Sequence, residues 1–357
     1  MRAFHCDHCG HLVFFDSVRC MHCGSVLAFL PDRMAMGALE PAPLAGNALW
    51  SRRGAAPNAP LYRLCHNHTA WDACNFAVPA ASPEALCVAC QQTHLLPDLS
   101  DPTRRQQWVR IEAAKRQLFY TLARLGLQAT SDAAPDSGPT YAFLADQPGQ
   151  PAVVTGHHSG TITLNVAEAD DVERARRRLA LHEPYRTLIG HLRHESGHYY
   201  WDRLVRDAGR VDAFRALFGD ERADYAAALQ AHYAAHPAPD WHVHHVSAYA
   251  AAHPWEDWAE TWAHYLHMVD LLETAAAYAT SLDVPGTAPV RHEAVRDPFG
   301  SPPPDFDTMV RQWVPLTLLL NSLNRSLGQQ DAYPFALSAG ALQKLRFVHD
   351  TVAQATG

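Results

Sequence analysis

The chain has 357 residues, of which 48% are hydrophobic and 18% are charged, and this composition excludes a disordered protein. Its 29 basic and 37 acidic side chains give a net charge of −8, which is too small to indicate a nucleic-acid or membrane partner. All eight cysteines lie between Cys6 and Cys90, and 23 histidines are spread over the chain. Such crowding of the cysteines predicts a metal-binding N-terminal region.

The sequence starts with MRAFHCDHCG, in which no basic segment is followed by an apolar one, so we expect no signal peptide. Apolar runs such as 316–320 are far shorter than the roughly 20 residues of a membrane-spanning helix. We therefore expect a soluble, cytoplasmic protein with no membrane partner. In a reducing cytoplasm, closely spaced cysteines are better explained as metal ligands than as disulfides.

The first four cysteines form two CxxC pairs, each followed directly by a glycine. The cysteines are Cys6, Cys9, Cys20 and Cys23, and the glycines are Gly10 and Gly24. Two such turns direct four thiolates to one zinc ion at about 2.3 Å, and the glycines permit the tight turns. The spacing predicts a closed, structural zinc site of the zinc-ribbon type within about residues 1–30.

The other four cysteines are spaced less regularly, since only the last two form a CxxC pair. They are Cys65, Cys74, Cys87 and Cys90. Four remaining thiols predict a second structural zinc site within about residues 61–95. Three nearby histidines are alternative ligands that could replace a cysteine: His66, His68 and His94.

The stretch from Pro41 to Pro60 is rich in Pro, Ala and Gly and predicts an extended connector between the two cysteine sets. Residues 1–100 contain six Arg and no Lys against seven Asp and Glu. Because a zinc ribbon that binds the phosphates of a nucleic acid is normally basic, we do not expect a nucleic-acid partner.

After residue 95 the hydrophobic periodicity predicts mostly helices and one strand-rich segment. A helix is expected over 108–127, with Gly126 at its end. Residues 141–144 and 153–166 read as strands. Helical periodicity returns in four further segments: 185–206, 254–280, 306–327 and 338–354. The predicted fold class is therefore α+β, a mostly helical domain with a small sheet behind a small zinc-ribbon domain.

The predicted helix 185–206 contains the sequence HESGH, an HExxH motif. His194 and His198 are four residues apart and so stand on one helix face, where both can bind one zinc ion. Glu195 lies beside them and is placed to act as general base on a water at that zinc. The motif predicts a catalytic zinc, which takes three protein ligands and leaves one position for water.

The third ligand comes from elsewhere in the chain, since Trp201 and Leu204 replace the residues that would extend the motif in metzincins. The segment 253–267 offers Glu256 and Glu260 on one face of a predicted helix. We assign Glu256 as the zinc ligand and Glu260 as the carboxylate that accepts a proton from a ligating histidine. The reverse order stays open, because helix geometry does not choose between them.

Neighbouring histidines and tyrosines complete the prediction. We interpret His253 and His264 as packing or outer-sphere residues and leave the role of His191 open. The oxyanion formed in hydrolysis needs a hydrogen-bond donor, for which Tyr249 is the first candidate. Tyr199 and Tyr200 are the alternatives to Tyr249. The strand GTITLN, residues 160–165, is a candidate edge along which a peptide could bind as an added strand.

Four segments resemble a known bacterial family. They are EPYRTLIGHLRHESGHYYWDRL, FGDERADYAAAL, SAYAAAHPWEDWAETWAHYLH and LNRSLGQQDAYPF. These segments, together with both cysteine sets, are similar to the zinc-binding metallopeptidases that carry an N-terminal zinc-ribbon domain. The resemblance covers nearly the whole chain and implies a zincin-type peptidase domain in which His194 and His198 bind zinc and Glu195 is the catalytic base.

The sequence thus predicts a zinc-ribbon region over residues 1–95 and a zincin-like, gluzincin-type domain over 96–357. The predicted function is hydrolysis of peptide bonds with one catalytic and two structural zinc ions, on a peptide or protein substrate that the zinc ribbons could recruit. Two alternatives remain from the sequence alone. One is a zinc-ribbon regulator that binds protein or nucleic acid and has a weakly active or inactive zincin domain, and the other is a zinc hydrolase of a different amide.

Overall fold

The computed structural model describes residues 2–42, 49–131, 138–180, 187–234, 238–282 and 293–356, except for the side chains of 175 and 177–180. The chain divides into two compact units. The first contains residues 1–155 and 163–170, and the second contains 156–162 and 171–357. The domain boundary predicted near residue 95 lies inside the first unit and stays a prediction.

The first unit contains short strands, two short helices and one long helix. In chain order they are β1 (Phe4–His5), β2 (Leu12–Val13), β3 (Val26–Leu30), β4 (Ala35–Pro41), β5 (Trp50–Arg52), β6 (Tyr62–Leu64), α1 (His66–Trp71), β7 (Ala77–Pro79), α2 (Val88–Gln91), β8 (Thr93–Leu95), α3 (Pro102–Arg124) and β9 (Thr140–Leu144). Strands β1 and β2 pair as a hairpin, and β3 to β7 form an antiparallel sheet in chain order.

The segment Pro41 to Pro60 is not the extended connector that its composition predicts. Within its described part, β5 pairs with β4 on one side and with β6 on the other, so it belongs to the five-stranded sheet. The Pro- and Ala-rich composition gave no sign of this strand, because Trp50–Arg52 is too short to show an alternating pattern.

One core joins the two cysteine sets in the first unit. Phe29 and Phe76 pack with their ring centroids 4.7 Å apart, and Phe119 and Tyr120 of α3 pack against the same cluster of cysteines and aromatic residues. The predicted helix 108–127 is observed as α3, which starts earlier because Asp101 caps it by accepting from the N–H groups of Thr103 and Arg104.

The second unit is mainly helical. Its elements are β10 (Gly156–His158), the start of β11 (Thr161–Asn165), α4 (Asp171–Ala180), α5 (Leu188–Trp201), α6 (Val211–Phe218), α7 (Tyr225–Ala234), α8 (Pro254–Ala277), α9 (Phe306–Ser326) and α10 (Ala339–Thr356). The four helices predicted from periodicity correspond to α5, α8, α9 and α10, and α5 continues into a π-helical turn at Asp202–Arg206. Residues 185 and 186 of the predicted helix lie outside the described residues.

The predicted strand 153–166 is two strands, because Ser159 and Gly160 both have positive φ and form the turn between β10 and β11. In the sheet order β10, β11, β9, β8, strand β11 has a neighbour on each side. The prediction that GTITLN presents a free edge is therefore wrong, and within the described part of the chain β10 is the edge strand at that side.

Helices α5 and α8 pack closely through small residues. A Cβ atom on Gly197 would lie 2.9 Å from the Cα atom of Ala259, so only glycine permits this approach. Trp258 and Trp262 of α8 donate hydrogen bonds from Nε1 to the carbonyl of Gly197 and to the hydroxyl of Ser196, at 2.8 and 3.0 Å. These contacts fix the rotation of each helix about its axis and thereby decide which side chains of α5 and α8 face each other.

The predicted α+β class, with a mainly helical domain after a zinc-ribbon region, is confirmed. Among the described residues, no helix combines the length and the hydropathy that crossing a membrane requires.

Candidate metal centre

The two histidines of HESGH lie on one face of α5. Thr187 starts this helix by accepting a hydrogen bond from the N–H of Gly190 at 3.0 Å. Because His194 and His198 are one turn apart, their ring centroids lie 5.1 Å from each other. His194 is 7% exposed, whereas the His198 side chain is 17% exposed and reaches solvent.

Glu256 reaches the same space from the first turn of α8. His253 caps this helix by accepting the N–H of Trp255 at Nδ1, and Pro254 occupies the first helical position. The Glu256 side chain is buried, with Oε2 3.0 Å from Nε2 of His194 and Oε1 3.7 Å from Nε2 of His198. The positive end of the α8 dipole favours a carboxylate in its first turn.

These three side chains fit one zinc ion. Their ligand atoms all lie within 4.8 Å of one another. Zinc–ligand bonds of about 2.05 Å in a tetrahedron place neighbouring ligand atoms about 3.3 Å apart. The two Glu256 oxygens come near to this spacing, each with a different histidine: Oε2 lies 3.0 Å from His194 and Oε1 lies 3.7 Å from His198. Two imidazole nitrogens and one carboxylate form a donor set typical of catalytic zinc. The role of Glu256 as third ligand stays a prediction.

Glu260 lies behind His194, on the side away from the other two side chains. Its Oε1 atom is 2.7 Å from Nδ1 of His194, and its Oε2 atom accepts a hydrogen bond from the hydroxyl of Ser247 at 2.6 Å. A carboxylate at Nδ1 holds the imidazole with Nε2 free of hydrogen, which is the tautomer that binds a metal. In this geometry Glu256 faces Nε2 and Glu260 faces Nδ1.

Glu195 is buried beside the histidines. Its Oε1 atom lies 3.2 Å from Nε2 of His191, one turn earlier on α5. Among the described residues, Oε2 of Glu195 has no hydrogen-bond partner. Burial opposes ionisation, but the hydrogen bond with His191 and the positive charge of His194 hold the pKa of Glu195 below its usual range. One ionised oxygen is thus available to accept a proton.

The site favours a positive charge between its carboxylates. Burial opposes a charge on His194, yet Glu256 and Glu260 hold the pKa of this imidazole well above its usual range. Burial likewise opposes ionisation of Glu256, and the charge of His198 together with the hydrogen bond to His194 lowers the pKa of this carboxyl strongly. A divalent cation would compete with protons for this place.

The tyrosines predicted near the site lie in different surroundings. The Tyr249 ring is 5.9 Å from the His194 ring, which places it at the metal centre. The Tyr200 ring is buried and stacks on Trp262 at 4.9 Å, which is a packing role. The Tyr199 hydroxyl accepts a hydrogen bond from Arg203 at 2.7 Å. Of the three, Tyr249 lies beside a predicted ligand, and its role as an oxyanion donor stays a prediction.

Sequence reasoning missed two residues at this site. Tyr225, at the start of α7, donates a hydrogen bond from its hydroxyl to Oε1 of Glu256 at 2.6 Å. His157 on the edge strand β10 has its ring parallel to that of His198, with centroids 6.4 Å apart. Burial and the nearby His198 lower the pKa of His157 to about 4. The segment containing Tyr225 carried part of the family resemblance, but no spacing connects Tyr225 to Glu256.

The histidines flanking Glu256 and Glu260 contact other parts of the second unit. His253 has its Nε2 atom 3.1 Å from the carbonyl of Ala223, and its ring caps α8. His264 lies 2.6 Å from the Tyr333 hydroxyl through Nδ1 and packs edge-on against Phe335 at 4.4 Å. Both arrangements agree with the packing role expected for these two residues.

The first cysteine set forms two matching turns. The N–H of Gly10 bonds to the carbonyl of Cys6, and the N–H of Gly24 bonds to the carbonyl of Cys20, both at 2.8 Å. Both glycines have positive φ, at 75° and 72°, as such turns require. The Sγ pairs Cys6–Cys23 and Cys9–Cys20 are separated by 3.8 and 3.7 Å. Tetrahedral zinc with bonds of about 2.3 Å places sulfurs about 3.8 Å apart.

The second cysteine set also converges, with the Sγ atoms of Cys74 and Cys87 3.7 Å apart and all four thiols within 4.8 Å of one another. The histidine alternatives lie differently. His68 points Nδ1 at the carbonyl of Cys74, 2.7 Å away, and His66 and His94 are exposed. The geometry therefore favours four thiolates over a mixed site, although the ligand assignment stays a prediction.

The first unit contains two sets of four cysteines, and the second unit contains the histidine site. This combination is typical of a zinc-binding protein with the donor set of a metallopeptidase. Residues 104–351 match the family described as "Putative zinc-binding metallo-peptidase", and residues 3–101 match a zinc-ribbon domain. The first match spans more than half of the chain, so the chain belongs to this family, as the resemblance implied.

The relatives found among curated proteins are similar over almost their whole length. An uncharacterized protein of Mycobacterium bovis is 40% identical over 355 residues, which cover 99% of this chain and 95% of the relative. Uncharacterized proteins of two Mycobacterium tuberculosis strains show the same identity and coverage. No solved structure matches the chain.

Proposed function

We propose that this protein is a zinc-dependent metallopeptidase that hydrolyses peptide bonds, with Glu195 as its general base. One observation carries the proposal: the ligand atoms of His194, His198 and Glu256 converge within 4.8 Å, beside a buried carboxylate oxygen of Glu195 that has no hydrogen-bond partner among the described residues. A purely structural zinc site has no use for a base next to an open ligand position.

Each side chain has a task in this proposal. His194, His198 and Glu256 hold the zinc, while Glu260 fixes the tautomer of His194 through Nδ1. When bound, zinc polarises the substrate carbonyl and makes a water molecule more acidic. Glu195, whose Oε2 atom has no hydrogen-bond partner among the described residues, would take a proton from that water and then deliver it to the leaving amine.

The remaining tasks are orientation and charge stabilisation. Tyr249, whose ring lies 5.9 Å from that of His194, is the proposed hydrogen-bond donor to the oxyanion. The substrate would be an extended peptide or a protein segment. Since β11 is flanked on both sides, β10 is the edge strand among the described residues, and a peptide backbone could join the sheet there.

The two four-cysteine clusters are proposed as structural zinc sites that stabilise the first unit. Their sulfur separations of 3.7 and 3.8 Å support this assignment. Four thiolates fill all four positions of a tetrahedral zinc, so no water or substrate can bind to the ion in these two clusters. The proposed hydrolysis therefore belongs to the histidine site. Recruitment of the substrate by the zinc ribbons and a cytoplasmic location remain part of the proposal.

The test is a comparison of wild type with Glu195→Gln, which removes the base but preserves its shape. Mass spectrometry of a proteome-derived peptide library measures the rate of peptide cleavage. We expect this rate to fall by about 10²–10⁴-fold in the variant. Zinc content should stay at the wild-type value, because Glu195 is not a proposed ligand. The matched control is Glu84→Gln, the same change at an exposed position.

Identical cleavage profiles for wild type and Glu195→Gln would contradict the peptidase proposal. A wild type that binds zinc at the histidine site but cleaves no peptide would instead favour the alternative of a zinc-ribbon regulator with an inactive zincin domain.

A further inference from the structure

The hydroxyl of Tyr225, at the start of α7, contacts the Glu256 carboxylate. It donates to Oε1 at 2.6 Å, while Oε2 lies 3.0 Å from Nε2 of His194. The two oxygens of this buried carboxylate are therefore in different surroundings. Oε1 is held by the tyrosine at 2.6 Å and lies 3.7 Å from Nε2 of His198, whereas Oε2 lies 3.0 Å from Nε2 of His194.

Tyr225 is itself held in place by the start of α8. Its ring packs edge-on against His253, with centroids 5.2 Å apart. The same histidine caps α8 and bonds through Nε2 to the carbonyl of Ala223, two residues before Tyr225. Just before Tyr225 in the chain, the guanidinium of Arg215 donates hydrogen bonds to both carboxylate oxygens of Glu221. The residue that caps the helix carrying Glu256 thus also positions the tyrosine that contacts Glu256.

We infer that Tyr225 is a positioning residue for the metal site: its hydrogen bond to Oε1 of Glu256, an oxygen that also lies near His198, keeps that oxygen from becoming a second metal ligand and so leaves a position open for water. A carboxylate can bind zinc through one oxygen or two, and a second bond would fill the position that a water needs. A hydrogen bond from a hydroxyl to one oxygen favours the one-oxygen mode. Outer-sphere donors of this kind typically change metal affinity by 10–100-fold. The inference rests on the proposed metal site but not on peptide cleavage.

The test uses the full-length protein with Tyr225→Phe, which removes only the hydroxyl. The matched control is Tyr233→Phe, the same change on the same helix α7, eight residues away and 52% exposed. Its ring lies 6.4 Å from that of Tyr249, so this variant shows whether the loss of any tyrosine hydroxyl near the site affects the metal. The first measurement is the zinc content during titration with a chelator, which reports the affinity of the most weakly held zinc. We expect Tyr225→Phe to weaken this zinc by about 10–100-fold and Tyr233→Phe to leave it unchanged.

The second measurement is the visible absorption spectrum after that zinc is exchanged for cobalt, with two zinc ions per chain still present. Four-coordinate cobalt absorbs more strongly than five- or six-coordinate cobalt. If Tyr225 keeps Glu256 in the one-oxygen mode, the cobalt bands of Tyr225→Phe weaken at saturation, whereas those of Tyr233→Phe match wild type.

Two results would overturn the inference: equal zinc affinity in Tyr225→Phe and Tyr233→Phe, or a lower affinity with an unchanged cobalt spectrum, which is the outcome of a merely structural contact. Failure of the metal site itself looks different. In that case wild type would hold only two zinc ions, and the proposed function would fall together with this inference.

Discussion

His194 lies between two carboxylates that the sequence could not tell apart. Glu256 faces its Nε2 atom and Glu260 faces its Nδ1 atom, at 3.0 and 2.7 Å. Metals in proteins bind one ring nitrogen of a histidine while the other nitrogen is held by an outer carboxylate or carbonyl. The two glutamates should therefore differ in how strongly their removal affects zinc.

We expect Glu256→Ala to lose the third zinc, and Glu260→Ala to retain it with an affinity reduced about 10–100-fold. Removal of a ligand leaves only two imidazoles, whereas removal of the outer carboxylate only frees the orientation of His194. Zinc analysis after dialysis against a mild chelator measures both variants. Loss of metal only in Glu260→Ala would reverse the assignment.

A pH-dependent contribution to stability is expected from His264, which is 4% exposed. Burial lowers its pKa to about 4, partly opposed by the charge of Glu260. In the unfolded chain its pKa is about 6.5, so between pH 6.5 and 4 the unfolded state takes up a proton that the folded state does not. The contribution of neutral His264 to the free energy of unfolding is therefore complete above pH 6.5 and is lost as the pH falls from 6.5 towards 4.

The check is the free energy of unfolding in urea for wild type and for His264→Gln, from pH 7 down to pH 4.5. The stability advantage of wild type should be largest at pH 7 and should shrink below pH 6.5 by up to about 1.4 kcal/mol per pH unit. A constant difference across this range would mean that His264 takes up its proton at the same pH in the folded and the unfolded protein, which contradicts the lowered pKa.

At the scale of elements, the close approach of α5 and α8 positions the metal centre. The approach depends on Gly197, because any Cβ there would meet the backbone of Ala259 at 2.9 Å. Within the HExxH motif, Ser196 and Gly197 therefore contact α8, while the two histidines and Glu195 line the metal site. A disturbance of this contact would displace Glu256 relative to the histidines.

We expect Gly197→Ala to destabilise the protein by roughly 1–3 kcal/mol, the usual cost of overpacking, despite the gain of about 1 kcal/mol in helix propensity. The neighbouring atom is backbone and cannot rotate away. The control is Gly156→Ala, where a new Cβ meets nothing within 4 Å. Thermal unfolding of both variants measures the difference, and a stabilised Gly197→Ala would show that the helices can separate at little cost.

Sequence periodicity located the long helices well. The predicted start of α8 agrees with the observed one because Pro254 and the capping His253 are local signals. Periodicity failed for Trp50–Arg52 and for the split of 153–166 into β10 and β11. In the second case, the turn at Ser159 and Gly160 separates the two strands, because both residues have positive φ. The hydrophobic pattern on either side of this turn otherwise looks like that of one strand.

At the scale of the whole molecule, the proposed metal sites divide between the two units. The four-thiol clusters share one core with Phe29, Phe76 and Tyr120, and the histidine site belongs to the second unit. In closed thiolate sites, metal binding contributes directly to folding. Loss of metal from one cluster should therefore affect the shared core as well as the cluster itself.

We expect three zinc ions per chain, and two in Cys74→Ser, measured by elemental analysis. The first unit of this variant should also become more sensitive to proteolysis, because Cys74 lies in the shared core. Cleavage sites mapped by mass spectrometry locate the change. A wild type that holds a single zinc, with cysteines that react readily with thiol reagents, would contradict the two structural sites.

The sequence by itself determined the types of ligand, their spacing and the elements that carry them. CxxC turns and an i, i+4 histidine pair are local features, and local geometry places such residues together without help from the rest of the chain. Tertiary structure decided which carboxylate faces which nitrogen of His194, brought Tyr225 to Glu256 and placed β11 inside its sheet. These outcomes depend on the relative rotation of α5 and α8 and on strand pairing, which arise from packing between segments distant in sequence and leave no periodic signal.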